Sequence, residues 1–380
     1  MKFLIIAGEE SGEIYGARLI REIKKRSPGA EFTGIGGDRM AAEGMSLLHH
    51  VSEMASIGLL DMLNNFFRLF GILNETRGLA AGGKFDAVIL IDYPDFNLRV
   101  ARAASEAGVP VFYYVCPQFW SWRTYRVNAC RKWVDTMLVA LPFEEEFYRK
   151  RGVNARFIGH PMLDEIGLFE NREEIRKELM PAGASELIGI LPGSRKSEVG
   201  YMLEPLIQTA DEIHAKKPSA AFAIAVAPHI PNETIEAAVG GRDYIKVITG
   251  DSHRLMAASD LLITKSGTST LEAAIIGTPM IIVYRLSWSS YIIAWFLTHG
   301  HYAGLPNIIA DKEIAPEFMQ RDFQPRYVAD AAVRLLENRS KLDDARNEMA
   351  EVKNKLGGKG ASVRAAEYIV RRLEELKAKK

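Results

Sequence analysis

Short apolar runs alternate with amphipathic helical patterns along almost the whole chain, and this alternation restricts the fold more than any other feature. Each run has the length of a buried strand, and the stretches between runs carry the apolar period of surface helices. Strands that are apolar on both faces and are followed by helices form parallel sheets with helices on both sides. The runs lie at residues 2–7, 86–92, 109–115, 136–141, 187–194, 220–228, 245–250, 260–267 and 279–285.

The rhythm is interrupted once, by a charged stretch at about residues 165–184. A chain of 380 residues, 48% of them hydrophobic, is long enough for more than one domain. We therefore predict two doubly wound, Rossmann-like α/β domains, 1–170 and 171–345, which face a ligand-binding cleft. A helical tail, 346–380, completes the chain, and the sequence leaves its docking partner open.

Charge and cysteine usage exclude several classes of protein. The 48 basic residues equal the 48 acidic ones, so no overall field favours nucleic acid, and any anion must be recognised locally. Cys116 and Cys130 fit neither a disulfide framework nor a zinc site, and we expect neither a metal nor another cofactor. The chain opens on an apolar strand and has no apolar stretch of about 18 residues, so we expect it to be cytoplasmic.

The stretch "LPGSRKSEV", residues 191–199, begins where an apolar strand ends at Leu191 and Pro192, and it has the composition of an anion-binding loop. Gly193 allows the backbone to approach a ligand closely, Ser194 can donate a hydrogen bond, and Arg195 presents a planar fork that matches phosphate oxygens. An ordinary strand-to-helix turn with a surface arginine would have the same composition. The turn therefore indicates an anion-binding site only in combination with a second turn of the same kind.

A second turn of this kind lies in "TKSGTSTLEAAIIGTPMIIVYR", residues 264–285. Ser266, Gly267 and Thr268 form the turn and open a helix, whose free N–H groups and positive dipole end can bind phosphate. Glu272, one helical turn further on the same face, can accept both hydroxyls of a ribose. A plain cap at Thr268 with a solvated Glu272 is the alternative. Two such turns in one domain favour a nucleotide diphosphate as the ligand.

The first domain carries acidic rather than basic residues after its first strand. The loop "AGEESGE" contains Glu9, Ser11, Gly12 and Glu13, and it matches neither G-x-G-x-x-G nor a P-loop. Its carboxylates would repel a phosphate, so it suits a neutral sugar. A plain helix start capped by Ser11 is the alternative.

Two further carboxylates lie at the end of the apolar run 86–92: Asp92 is its last residue, and Asp95 follows the turn at Pro94. A carboxylate at the carboxyl edge of a parallel sheet can act as the general base toward an alcohol. We favour Asp92 for this role, and the sequence leaves Asp95 and Glu13 as alternatives. A turn that merely shapes the loop would also use such residues.

Two stretches, 57–73 and 287–298, have broader apolar surfaces than an enzyme acting on free sugars needs. Such surfaces, with their aromatic residues, can lie in a membrane interface, hold acyl chains, pack in the core or join two copies of the chain. A basic patch around Arg123 and Arg126 can meet an anionic headgroup or a substrate phosphate. The sequence leaves these alternatives open.

Taken together, these stretches resemble the lipid-A-disaccharide synthases, inverting glycosyltransferases that join two acylated glucosamine units in Gram-negative bacteria. "SGT" or "GSR" alone would be weak, but the matching stretches occur in order from residue 7 to about 310. Departures include Glu13 in place of Asp, Glu10 in place of a small residue, and Cys116 in place of Ser. The stretches are "AGEESGE", "IDYPDFN", "YYVCPQFWSWR", "LPFEEEFY", "FIGHP", "LPGSR", "SGTSTLEAA", "PMIIVYR" and "GLPNIIA".

The resemblance implies a GT-B fold, a UDP-2,3-diacylglucosamine donor bound by the C-terminal domain, and a 2,3-diacylglucosamine 1-phosphate acceptor bound by the N-terminal one. It also implies peripheral attachment to the cytoplasmic face of the inner membrane. The positions that match the family's functional residues are Asp92, Arg195, Glu272 and Asn307, with Glu9 and Ser11 in the first loop. A UDP-sugar 2-epimerase and a binding module without chemistry are the rival functions.

Overall fold

The computed structural model describes residues 1–54, 62–121, 123–167, 169, 171–181, 183–285 and 302–378. The chain forms two compact units, one comprising Met1–Asp164 with Leu356–Lys380 and the other comprising Glu165–Lys355. The chain thus enters the second unit once and returns to the first for its last helix. Of the apolar stretches singled out above, residues 57–61 and 287–298 lie outside the described residues.

The first unit is built on a 7-stranded parallel sheet with the order β3-β2-β1-β4-β5-β6-β7. Its strands are β1 (Lys2–Ala7), β2 (Glu31–Gly36), β3 (Met45–His50), β4 (Ala87–Ile91), β5 (Val111–Tyr114), β6 (Thr136–Val139) and β7 (Ala155–Phe157). Its helices are α1 (Glu10–Arg26), α2 (Asp38–Ala42), α3 (Met62–Ala81), α4 (Pro94–Glu106), α5 (Val127–Trp133), α6 (Glu144–Arg149) and α7 (Met162–Glu165), which reaches the boundary.

Helices cover both faces of this sheet because its central strands are apolar on both sides. Along β1, Leu4 and Ile6 pack with residues of α3 and α4, whereas Phe3 and Ile5 pack on the opposite face. That opposite face is covered by α1 and by the last helix, α16 (Ala361–Ala378). The apolar side of the C-terminal helix therefore completes the core of the first unit.

The second unit repeats this plan with a 6-stranded parallel sheet of order β10-β9-β8-β11-β12-β13. Its strands are β8 (Glu186–Leu191), β9 (Ala220–Val226), β10 (Ile245–Thr249), β11 (Leu261–Lys265), β12 (Met280–Tyr284) and β13 (Glu317–Met319). Its helices are α8 (Arg172–Leu179), α9 (Lys196–Lys216), α10 (Asn232–Val239), α11 (Ser252–Ala258), α12 (Thr268–Ile276), α13 (Leu305–Ala310), α14 (Pro325–Leu336) and α15 (Arg339–Lys355).

The chain reverses its direction across each sheet at one point. In the first unit the reversal lies between β1 and β4, and in the second it lies between β8 and β11. Loops that leave the carboxyl ends of two such strands diverge to opposite sides and open a crevice, where parallel α/β sheets bind their ligands. The predicted apolar strands are all present, so the predicted α/β class is confirmed.

Candidate active site

The loops after β8 and β11 border one cavity of about 490 Å³ in the second unit. Six residues predicted from the sequence line it: Gly193, Ser194, Arg195, Gly267, Thr268 and Glu272. They come from the turn after β8 and from the turn after β11 with the helix that it opens, and the strand order makes the two turns neighbours. The cavity also includes residues that the sequence analysis missed, among them Glu198, Ser252, Lys265 and Ser269.

The Arg195 turn is held in a conformation that requires glycine. Gly193 has φ +114°, and a Cβ there would lie 2.8 Å from Oε2 of Glu198. His229 donates a hydrogen bond to the carbonyl of Ser194 at 2.7 Å. The side chain of Arg195 remains 74% exposed. The backbone of the turn is thus fixed while its guanidinium stays accessible.

A second cation, Lys265, lies at the end of β11 beside this turn. Its Nζ is 3.0 Å from Oε1 of Glu198, and Nη1 of Arg195 is 3.3 Å from the same oxygen. Burial alone would raise the pKa of Glu198, but its hydrogen bonds and charge interactions with Lys265 and Arg195 hold that pKa below its usual value. Two cations against one carboxylate leave this side of the cavity with a net positive charge.

Helix α12 contributes the opposite wall. It begins at Thr268, with Gly267 at the cap position, and it ends where Gly277 adopts a left-handed conformation. The alternative of a plain cap at Thr268 is therefore wrong. No side chain among the described residues caps the helix start, which leaves backbone N–H groups of the first turn to bind an anion.

Glu272 lines the same cavity from the second turn of α12. It is half-buried, and its Oε1 lies 3.6 Å from Nε2 of His253. The interaction with Glu272 raises the pKa of His253 in spite of its partial burial, which acts in the opposite direction. Glu272 therefore stabilises the protonated form of the neighbouring His253 imidazole.

In the first unit, the loop after β1 leads directly into α1. The helix begins at Glu10 with Glu9 at the cap position, so the alternative of a Ser11 cap is wrong. Ser11 lies exposed in the first turn and Gly12 is buried beneath it. Glu13 is also buried, and its Oε1 accepts a hydrogen bond from the N–H of Arg39 at 2.7 Å, which ties it to the start of α2.

The three candidate bases have different surroundings. Glu13 already accepts the hydrogen bond from the N–H of Arg39 in α2. The exposed Asp95 forms ion pairs with Arg123, at 3.4 Å, and with Arg126. Asp92 is half-buried at the end of β4. Burial raises its pKa to about 6, and the negative charge of Glu9 contributes in the same direction. Its surroundings thus increase the basicity of the Asp92 carboxylate.

The family model described as lipid-A-disaccharide synthetase matches residues 3–372. A protein of Nitrosococcus oceani named lipid-A-disaccharide synthase is 37% identical over 371 residues, which cover 97% of this chain and 96% of that protein. The chain belongs to the lipid-A-disaccharide synthase family. It is therefore a glycosyltransferase.

Two solved structures of other proteins have folds similar to that of this synthase-family chain. A glycotransferase of kitacinnamycin has a TM-score of 0.65 and 16% identity, with 98% of this chain and 99% of that chain covered. A UDP-GlcNAc 2-epimerase from Neisseria meningitidis, bound to UDP-GlcNAc, has a TM-score of 0.62 and 13% identity, with 99% and 100% covered. At these identities the likeness shows the two-domain GT-B fold alone.

Two residues predicted to bind the donor do not line the cavity of this synthase-family chain. Ser266 donates to the carbonyl of Ala303 at 2.9 Å. Asn307 is fully buried, and its amide donates to the carbonyl of Ala315 and to Glu317 and accepts from the N–H groups of Ile314 and Ala315. The side-chain amide of Asn307 thus bonds to residues 314–317 of its own segment.

Proposed function

We propose that this chain transfers 2,3-diacylglucosamine from its UDP derivative to the 6-hydroxyl of 2,3-diacylglucosamine 1-phosphate. The products are UDP and a β-1,6-linked disaccharide. The observation that carries the assignment is the cavity of the second unit, where Arg195, Lys265 and the open start of α12 surround one space beside Glu272. That set of groups matches a nucleoside diphosphate.

The donor's diphosphate would lie between Arg195 and the first turn of α12, and Lys265 would supply further positive charge. Glu198 holds both cations near the space that the diphosphate needs. Glu272 would accept the ribose hydroxyls. Asn307 would contribute indirectly, because it orders the segment whose Ala303 carbonyl binds Ser266.

Asp92 would remove the proton from the acceptor's 6-hydroxyl. The resulting oxygen attacks the anomeric carbon while the bond between that carbon and the diphosphate oxygen breaks, so UDP leaves with the bonding electrons. One displacement inverts the linkage from α to β. Alignment of the two sugars lowers the entropic barrier, and the preorganised cations stabilise the charge that develops on the departing diphosphate.

An enzyme with acylated substrates that attaches peripherally to the cytoplasmic face of the inner membrane needs a surface that contacts lipid. On α3, Phe67 and Phe70 are 70% and 48% exposed. Exposed aromatic residues on a helix can enter the interface of a bilayer. None of the described helices combines the length and apolarity needed to cross a membrane. We propose that α3 presents this face to lipid.

The activity itself is tested by incubating the protein with UDP-2,3-diacylglucosamine and 2,3-diacylglucosamine 1-phosphate and measuring UDP and disaccharide. We expect both products. Epimerised sugar would favour the epimerase, and bound but unchanged donor would favour a binding module.

Asp92→Asn should lower turnover about 10²- to 10⁴-fold with UDP binding retained, since a positioned base contributes this much. Arg195→Ala should also lower turnover strongly.

Lys265→Met should weaken UDP binding about tenfold or more, because it removes a charge-assisted hydrogen bond worth about 1.5–3 kcal/mol. Isothermal titration calorimetry measures the affinity. Lys246→Met is the matched control, since Lys246 lies on β10 of the same sheet and donates to the carbonyl of Glu178 at 2.7 Å. Equal UDP affinities of the two variants would remove Lys265 from the diphosphate site.

The pH profile of kcat/KM should show an acid limb with a midpoint near pH 6, because Asp92 must be ionised to accept a proton. Glu9→Gln should move that midpoint to lower pH: without the negative charge of Glu9, ionised Asp92 is repelled less and its pKa falls. Glu106→Gln, on the exposed surface of α4, should leave the midpoint in place. A midpoint that does not move in Glu9→Gln would contradict the assignment.

Replacement of both Phe67 and Phe70 by serine should reduce co-sedimentation with vesicles of phosphatidylethanolamine and phosphatidylglycerol several-fold. The control is Tyr327→Ser, which removes an aromatic residue that is 50% exposed in the second unit. If the double variant and the control sediment alike, α3 is not the lipid-binding face.

A further inference from the structure

Three residues at adjoining strand ends of the first unit have a backbone conformation that side chains disfavour. Asp92 and Tyr93, after β4, have φ of 45° and 50°, and Val115, after β5, has φ of 54°. The left-handed region is uncommon for residues other than glycine and is an outlier for a β-branched residue. Such strain persists only where the surrounding structure imposes it, and it concentrates at functional sites.

Hydrogen bonds from two buried side chains hold Asp92 in this conformation. The hydroxyl of Tyr113 donates to the carbonyl of Asp92 at 2.6 Å, and Nδ2 of Asn97 donates to the same oxygen at 2.7 Å. On the other side, the N–H of Asp92 donates to the carbonyl of Val115 at 3.3 Å. Both backbone polar groups of Asp92 are therefore bound by the protein.

The next residue, Tyr93, is fixed by close packing against the loop that follows β1. A Cβ added at Gly8 would lie 2.3 Å from Cγ of Tyr93, so the tyrosine ring rests directly on the glycine backbone. Since β1 and β4 pair with Ala7 opposite Ile91, the two loops leave the sheet side by side. The absence of a side chain at Gly8 thus allows the left-handed turn at Asp92 and Tyr93.

The polar side chains that bind Asp92 lie in the core, where burial of a polar group lowers stability unless it is hydrogen-bonded. Tyr113 and Asn97 are both fully buried. Asn97 also donates to the carbonyl of Ile91 at 3.2 Å, but its Oδ1 has no hydrogen-bond partner among the described residues. A buried polar atom without a partner destabilises a fold. Asn97 thus provides two hydrogen bonds to the carbonyls at the end of β4 at the cost of one buried acceptor without a partner among the described residues.

We propose that Tyr113 and Asn97 are positioning residues of the transfer reaction, a role that rests on the proposed function of Asp92 as the general base. They hold the Asp92 backbone in its left-handed conformation and so direct its carboxylate. Proton transfer requires the base within hydrogen-bond reach of the hydroxyl, and a misplacement of about 1 Å can cost about 10²-fold in rate. Relaxed to an ordinary conformation, Asp92 would carry its carboxylate to another place.

Tyr113→Phe tests this role because it removes the hydroxyl and keeps the ring. We expect kcat to fall about tenfold or more, with KM and UDP affinity unchanged, since the lost interaction acts on the base and not on substrate binding. The matched control is Tyr114→Phe, the next residue on β5, which is also fully buried and whose hydroxyl pairs with Oγ of Ser362 at 2.9 Å. Both variants lose one buried hydrogen bond, so their thermal unfolding midpoints should fall by similar amounts.

A double-mutant cycle with Asp92→Asn separates this inference from the proposed function. With the base removed, Tyr113→Phe should cause little further loss of kcat. Equal kcat values for Tyr113→Phe and Tyr114→Phe would overturn the positioning role, and so would a full additional loss in the Asp92→Asn background. Near-normal turnover of Asp92→Asn would instead overturn the proposed base. Asn97→Leu should lower kcat in the same way, and if it does not fold, Tyr113→Phe decides alone.

Discussion

The reversal of strand order within each parallel sheet is the constraint on which the candidate site depends. A parallel sheet collects the carboxyl ends of its strands at one edge, and the reversal opens a crevice there between two neighbouring strands. In the first unit this brings the Gly8 loop beside Asp92, and in the second it brings the Arg195 turn beside Thr268. Residues remote in sequence become neighbours because buried apolar strands fix the order of the sheet.

Charge is distributed unevenly between the two edges although the chain as a whole is neutral. At the edge of the second sheet, Arg195 and Lys265 share one carboxylate, and the start of α12 adds the positive end of a helix dipole. At the edge of the first, the start of α1 carries the carboxylate of Glu9 at its cap position, and the negative charge of Glu9 raises the pKa of Asp92. One edge therefore suits a leaving diphosphate, and the other suits the removal of a proton from an alcohol.

The sequence predicted those parts of the site that depend on local pattern. The strands were predictable because they are apolar on both faces, and the two turns were found because each directly follows a strand. Lys265 was missed because it occupies the last position of a strand, and its importance depends on β8 and β11 being neighbours. Its signal was a lysine immediately before "SGT".

Other contacts could not be predicted, since they join residues distant in the chain or depend on side-chain burial. The sequence predicts a helical tail, but not that it packs beside α1 in the core of the first unit. Asn307 matches a functional position, but nothing in its local sequence shows that its amide would bond to Glu317. The strained turn at Asp92 likewise depends on Tyr113, which lies on another strand.

Burial and repulsion from Glu9 adjust Asp92 to the requirements of a base at neutral pH. An ordinary aspartate is ionised but weakly basic, whereas a carboxylate with a pKa well above 7 would be protonated and unable to accept a proton. A pKa of about 6 leaves Asp92 mostly ionised at neutral pH and makes it a stronger base than an exposed aspartate. The same burial requires the protein to hold the carboxylate without neutralising it. Hydrogen bonds from Asn97 and Tyr113 to the backbone carbonyl of Asp92 meet that requirement, since they fix the residue without pairing a cation with its carboxylate.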